Sequence, residues 1–154
     1  MKKLYFLIFI LVFNFTNAQS ERTLEETKTY IVKMINDYSW KENSFFATKT
    51  RTQATFEENL LRIVEMNNEN KPINHGMVYN FANVYRFKYP IKKPGDVGIL
   101  IIWVDFLLNK RTGKWKKEAL ELEIHNYQVA EQLFVAFTHL NKLLLENKPA
   151  VEKF

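Results

Sequence analysis

The chain contains no cysteine. Disulfide staples, a thiol nucleophile and a lipid anchor on a cleavage-site cysteine are therefore excluded. Glycine is scarce: Gly76, Gly95, Gly98 and Gly113 are the four present. They are too scattered to build a glycine-rich phosphate cradle, and no Gly-x-Ser-x-Gly motif occurs. The three histidines are His75, His125 and His139. None belongs to a His-Glu-x-x-His motif, and no carboxylate–histidine group has zinc-ligand spacing. The expectation is a chain with no catalytic residues, no metal and no cofactor. Long hydrophobic runs are also missing. The longest uninterrupted one, residues 4–13, has ten residues, against the roughly 20 needed to cross a bilayer as a helix.

That short run sits in an informative place. Lys2 and Lys3 precede it, and Thr16-Asn17-Ala18 follows with small residues where a signal peptidase reads. This is the layout of a secretory signal peptide, with cleavage after Ala18. The expected organisation is a signal peptide over 1–18, a single domain over 19–148 and a tail over 149–154. The protein is then exported to the periplasm or beyond the cell, and it is not an integral membrane protein after cleavage. Removing 18 of 154 residues leaves 136, enough for one domain with a real core. The loss of Lys2 and Lys3 lowers the net charge from +5 to +3. So modest an excess argues against a nucleic-acid partner.

The charge is unevenly placed. Residues 86–117 hold nine basic residues against Asp96 and Asp105, a net of +7. Residues 19–85 carry a net of −1, and 118–154 a net of −3.

The mature chain opens with a helix. Thr23-Leu24-Glu25-Glu26 fits a capping box, and Leu24, Thr27, Ile31, Ile35 and Tyr38 share one face. Lys28, Lys33 and Asp37 fall largely on the other. Residues 45–51, 54–58 and 60–66 then read as short strands, and 67–72 as a loop. Residues 77–81 and 84–89 read as strand with a break near Ala82-Asn83. Residues 97–108 form the strongest strand, apolar on both faces and therefore expected to be covered on both, with the first helix a candidate cover. After a hairpin over 109–114, residues 115–124 alternate Leu120, Leu122 and Ile124 with Glu121 and Glu123. Asn126 is an N-cap for a second helix whose stripe is Val129, Leu133, Ala136, Phe137, Leu140 and Leu144. Each such side chain gains roughly 1.5–3 kcal/mol on burial, so the stripe must pack on the sheet. The order is α+β: an N-terminal helix, a bent antiparallel sheet of six or seven strands, and a C-terminal amphipathic helix.

The strand Glu121-Leu122-Glu123-Ile124, running into Tyr127-Gln128-Val129-Ala130-Glu131-Gln132-Leu133 and Ala136-Phe137-Thr138-His139-Leu140, resembles the end of a pleckstrin-homology-like roll. The chain is also similar to exported bacterial proteins of uncharacterised role that open with a Thr-Leu-Glu-Glu-Thr helix. The resemblance implies a binding or scaffold module, non-enzymatic, with an unknown envelope protein or small ligand as partner. The N-terminal helix departs from the usual roll.

Three groups of residues are candidates for function. Arg86, Lys88, Lys110, Arg111, Lys114, Lys116 and Lys117 form a basic region that could contact an anionic lipid surface or an acidic glycan. On a bare hairpin, lysines also serve to keep a sheet edge from pairing with other chains. Tyr79, Tyr85, Phe87 and Tyr89, with Phe81, are all odd-numbered and would line one side of a continuous strand, as a ligand surface or as core. Asp105 interrupts an apolar strand, either as a buried general acid or as an ion pair with a lysine such as Lys116, and a small ligand-binding or hydrolytic site would hold Asp105 or His125.

Overall fold

A computed structural model describes residues 22–43 and 48–147. The proposed signal peptide and the tail beyond 148 lie outside the described residues, as do Phe45 and Phe46.

Helix α1 covers Leu24–Tyr38. Its start is held by the capping box: the Glu26 amide donates to the Thr23 hydroxyl at 3.3 Å, and the Thr23 amide donates to the Glu26 carboxylate at 2.8 Å. Two free donors of the first turn are thereby satisfied. The Thr23 amide, with the Thr23 hydroxyl donating to the same carboxylate at 2.9 Å, holds the Glu26 carboxyl below its usual range. Thr27, Ile31 and Ile35 are buried, as the spacing predicts. Lys28 departs from expectation. It is buried, with its ammonium 2.7 Å from Glu25 and its nitrogen 5.8 Å from the centre of the Phe56 ring.

Six strands follow: β1 Trp40–Asn43, β2 Thr48–Glu57, β3 Leu60–Met66, β4 Met77–Lys93, β5 Val97–Asn109 and β6 Lys114–Ile124. Helix α2, Tyr127–Glu146, closes the described chain, with the Asn126 side chain accepting from the Val129 amide at 3.1 Å. The strands form one antiparallel sheet in the order β1-β2-β3-β4-β5-β6. This is an α+β fold with a helix at each end of an antiparallel six-stranded sheet. The sheet bends far enough for Ser39 to bridge Ile124, and for the His125 amide to donate to the Tyr38 carbonyl at 2.8 Å. Beyond that point the outer edge of β6 has no strand partner among the described residues.

Both helices lie on one side of the sheet. Residues opposite one another in an antiparallel pair share a face, so the register identifies this inner face. Gly98, Leu100 and Ile102 pair with Ile124, Leu122 and Leu120. On the same side, Ala54 pairs with Ile63 and Leu61 with Tyr79. The α2 stripe of Leu133, Phe137 and Leu140 is fully buried, and Phe137 stacks on Phe81 with centroids 4.6 Å apart. Gly98 lets α2 come close, because a Cβ there would collide with that of Ala130. Helix α1 packs on β2 and α2. It does not cover the second apolar face of β5, contrary to expectation. The outer face of Ile99, Ile101 and Trp103 is screened by neighbouring strands instead, with Ile91 and Glu123 flanking Ile99, and Arg86 and Ala119 flanking Trp103.

Two irregularities in β4 decide where its rings go. Between Asn80 and Val84 the pairing advances by one residue on β5, and a second shift falls between Val84 and Arg86. The break predicted at Ala82-Asn83 is thus a bulge inside one long strand. The Ala82 amide donates to the Asn80 side chain at 3.0 Å, and Asn141 donates to the Phe81 carbonyl at 2.7 Å.

Candidate functional site

The register along β5 arranges the outer face row by row. Asp105 lies between Asn80 and Lys117, Trp103 between Arg86 and Ala119, and Ile101 between Lys88 and Glu121. Three predicted basic residues, Arg86, Lys88 and Lys117, therefore share this face. The Arg86 guanidinium carbon sits 5.2 Å from the centre of the Trp103 ring, and the Lys117 ammonium 4.9 Å from that of Tyr85. A cation over an aromatic face is attracted by the ring quadrupole. Past Asp105 the strands run into the β5–β6 hairpin. There Lys110, Arg111 and Lys114 are exposed, and Gly113 takes the positive φ of 61° that the turn requires. Leu108 is 51% exposed at the same tip. Lys116 belongs elsewhere. It pairs across from Phe106 on the inner side, and its ammonium is 2.8 Å from Glu118. Lys116 thereby holds the Glu118 carboxyl below its usual range.

Asp105 anchors the β4 bulge. It is 9% exposed and accepts from the Tyr85 hydroxyl at 2.6 Å and from the Asn83 amide at 2.8 Å. Its lysine neighbour across the strands is Lys117, not Lys116. The carboxylate raises the Tyr85 pKa, because it accepts a hydrogen bond from the protonated phenol. His125 is far from this node. It follows Ile124, which pairs with Gly98, seven residues along β5 from Asp105. That is roughly 24 Å of strand, so Asp105 and His125 do not share a site. His125 instead stacks on Trp40 at 4.0 Å, its Nε2 lying 2.9 Å from the Trp40 carbonyl and 3.3 Å from Glu123. His75 is exposed, and His139 Nε2 lies 2.8 Å from the Arg22 carbonyl. Among the described residues, no group of three or more His, Cys, Asp or Glu could hold a metal ion.

The aromatic series does not form one surface. Tyr79 is buried at 3% exposure, and Phe87 is half-buried with its ring edge-on to Phe134. Tyr89 is exposed on the helix side and donates to Glu131. Tyr85 is exposed on the outer face. The two bulges put Tyr85 out of phase with the others.

A second feature was not legible in the sequence. Where the edges of β1 and β6 diverge, a cavity of about 170 Å³ opens, lined from β1–β4 by Ser39, Lys41, Thr52, Ile63, Glu65, Met77 and Tyr79, and from β6 by residues 119–123. Tyr79 lies against it with its hydroxyl 3.5 Å from the Met77 sulfur. Burial, with Glu118 and Glu65 adding to it, pushes the Tyr79 phenol up to about 12.

No family model, no curated protein and no solved structure matches the chain. No described helix is long and apolar enough to cross a membrane.

Proposed function

We propose that the protein is a small exported, non-enzymatic binding module with a pleckstrin-homology-like roll, and that it docks on the anionic headgroups of an envelope membrane. The observation that carries the reading is the hairpin tip. Lys110, Arg111 and Lys114 are exposed there beside the exposed Leu108, and Arg86, Lys88 and Lys117 continue the positive charge along the outer face that no described helix covers. Cations meet headgroups electrostatically, and an apolar side chain among them gains by entering the interface. Leu108 favours a lipid surface over an acidic glycan, which has no hydrocarbon layer to receive it. The signal peptide supplies the route of export.

The test is co-sedimentation of the mature protein with vesicles containing phosphatidylglycerol, compared with vesicles of phosphatidylcholine alone. Binding to the anionic vesicles that weakens as salt rises supports the reading. Equal binding to both, or binding to neither, refutes it.

A further inference from the structure

The cavity at the other end of β6 lies apart from the basic tip and has a different character. Ile63, Met77, Leu120 and Leu122 supply apolar surface, and Ser39 and Thr52 supply hydroxyls. The two hydroxyls already bond to each other at 3.0 Å. Tyr79 is the polar group with the weakest partner. Its side chain is buried, lines the cavity, and has a thioether for its hydrogen-bond partner. Sulfur is a weak acceptor, and the phenolic oxygen can accept as well as donate. A buried hydroxyl so poorly matched costs free energy until a better partner arrives.

The charges around the cavity have one predominant sign. Glu65, Glu121 and Glu123 line it against Lys41, whose ammonium is 3.7 Å from Glu65. The elevated Tyr79 pKa has the same source in part, since Glu118 and Glu65 both oppose a negative phenolate. A positive group entering here meets favourable potential. Size sets a limit as well. A cavity of about 150 Å³ accommodates benzene, so about 170 Å³ takes a single ring or a short alkyl group.

We propose that the cavity between the edges of β1 and β6 binds a small primary amine with a compact apolar body, whose ammonium donates to the Tyr79 oxygen and to the carboxylates lining the cavity. The apolar body lies against Ile63, Met77, Leu120 and Leu122. This site is independent of the membrane-docking tip, and either can be correct without the other.

Benzylamine is the probe, with benzyl alcohol as its neutral counterpart. Each is titrated into the mature protein while the Met77 methyl signal is followed by NMR. Benzylamine is expected to give a saturable shift, with benzyl alcohol at least about tenfold weaker, a difference of roughly 1.4 kcal/mol. Glu65→Gln and Tyr79→Phe nearly conserve volume and are each expected to weaken benzylamine. Leu122→Trp, which fills the cavity, is expected to abolish the shift, and a thermal melt checks that each variant is folded. Three results would overturn the proposal: no saturable shift up to about 50 mM, where even the weakest useful affinity would show; equal affinity for amine and alcohol; or benzylamine binding unchanged in both conservative variants.

Discussion

The two ends of β6 carry opposite chemistry on one continuous strand. At the hairpin end, Lys110, Arg111 and Lys114 are exposed at the turn, and Arg86 and Lys117 lie on a sheet face without a helix. At the other end, Glu121 and Glu123 flank a partly apolar cavity against β1–β4. From Trp115 to Ile124 its pairing with β5 runs without a shift, and its inner residues Leu120, Leu122 and Ile124 are all core. A shared core thus supports two chemically distinct surfaces, and changes confined to one end should leave the other intact.

The sharpest way to break the comparison is to remove what both ends share. Phe137→Ala deletes the ring stacked on Phe81, which should cost about 3–5 kcal/mol, and a urea titration should show both ends losing structure together. The next largest effect separates them. Reversing the charge of Lys110, Arg111 and Lys114 to Glu removes three cations worth about 1 kcal/mol each near an anionic membrane. Vesicle affinity should fall at least about 100-fold, with the melting temperature and the benzylamine response unchanged. Asp105→Ala is smaller. It removes the carboxylate that accepts from the Tyr85 hydroxyl and the Asn83 amide, and a loss of about 1–3 kcal/mol is expected by denaturant melt. The associated shift should appear in amide signals of the β4 bulge and not at the cavity.

The smallest effect concerns the cavity alone and depends on pH. Tyr79 has a folded-state pKa of about 12, raised above its usual 10 by burial, Glu118 and Glu65. The unfolded phenol ionises first, so the unfolded state releases its proton at lower pH than the folded state does. The stabilisation from this group is full below about pH 10 and declines as pH rises through about 12. Tyr79→Phe should remove that part of the alkaline loss, measurable as a flatter dependence of the urea midpoint between those limits.

What the sequence made legible was local. The capping box at Thr23 and Glu26, the Asn126 cap and the α2 stripe are all periodic or short-range signals, and all appear where the spacing predicts. The short strand β1 was not foreseen, because its four residues begin directly after the helix cap at Ser39 with no turn signal. The odd-numbered aromatic series shares one side only in a continuous strand, and the break near Ala82-Asn83 inserts three extra residues between Asn80 and Val84. Asp105 was read as a buried acid or as the ion-pair partner of a lysine such as Lys116, whereas its hydrogen bonds come from Tyr85 and Asn83, brought near by those bulges. Helical spacing put Lys28 largely on the face away from the apolar one, yet the side chain is buried and its ammonium reaches Glu25. Of the basic residues, Arg86, Lys88 and Lys117 share the outer face, whereas alternation on β6 sends Lys116 to the opposite face from Lys117. The cavity needed five strands and a bend, and no segment of sequence encodes it.

Hydrogen exchange of the mature protein, with and without phosphatidylglycerol vesicles, tests the division of β6 most directly. Slower exchange confined to the hairpin and its flanks, residues 107–117, with residues 119–123 and helix α2 unchanged, is the result expected. Protection centred on α2 or on the glutamate end of β6 would contradict it, as would no protection anywhere.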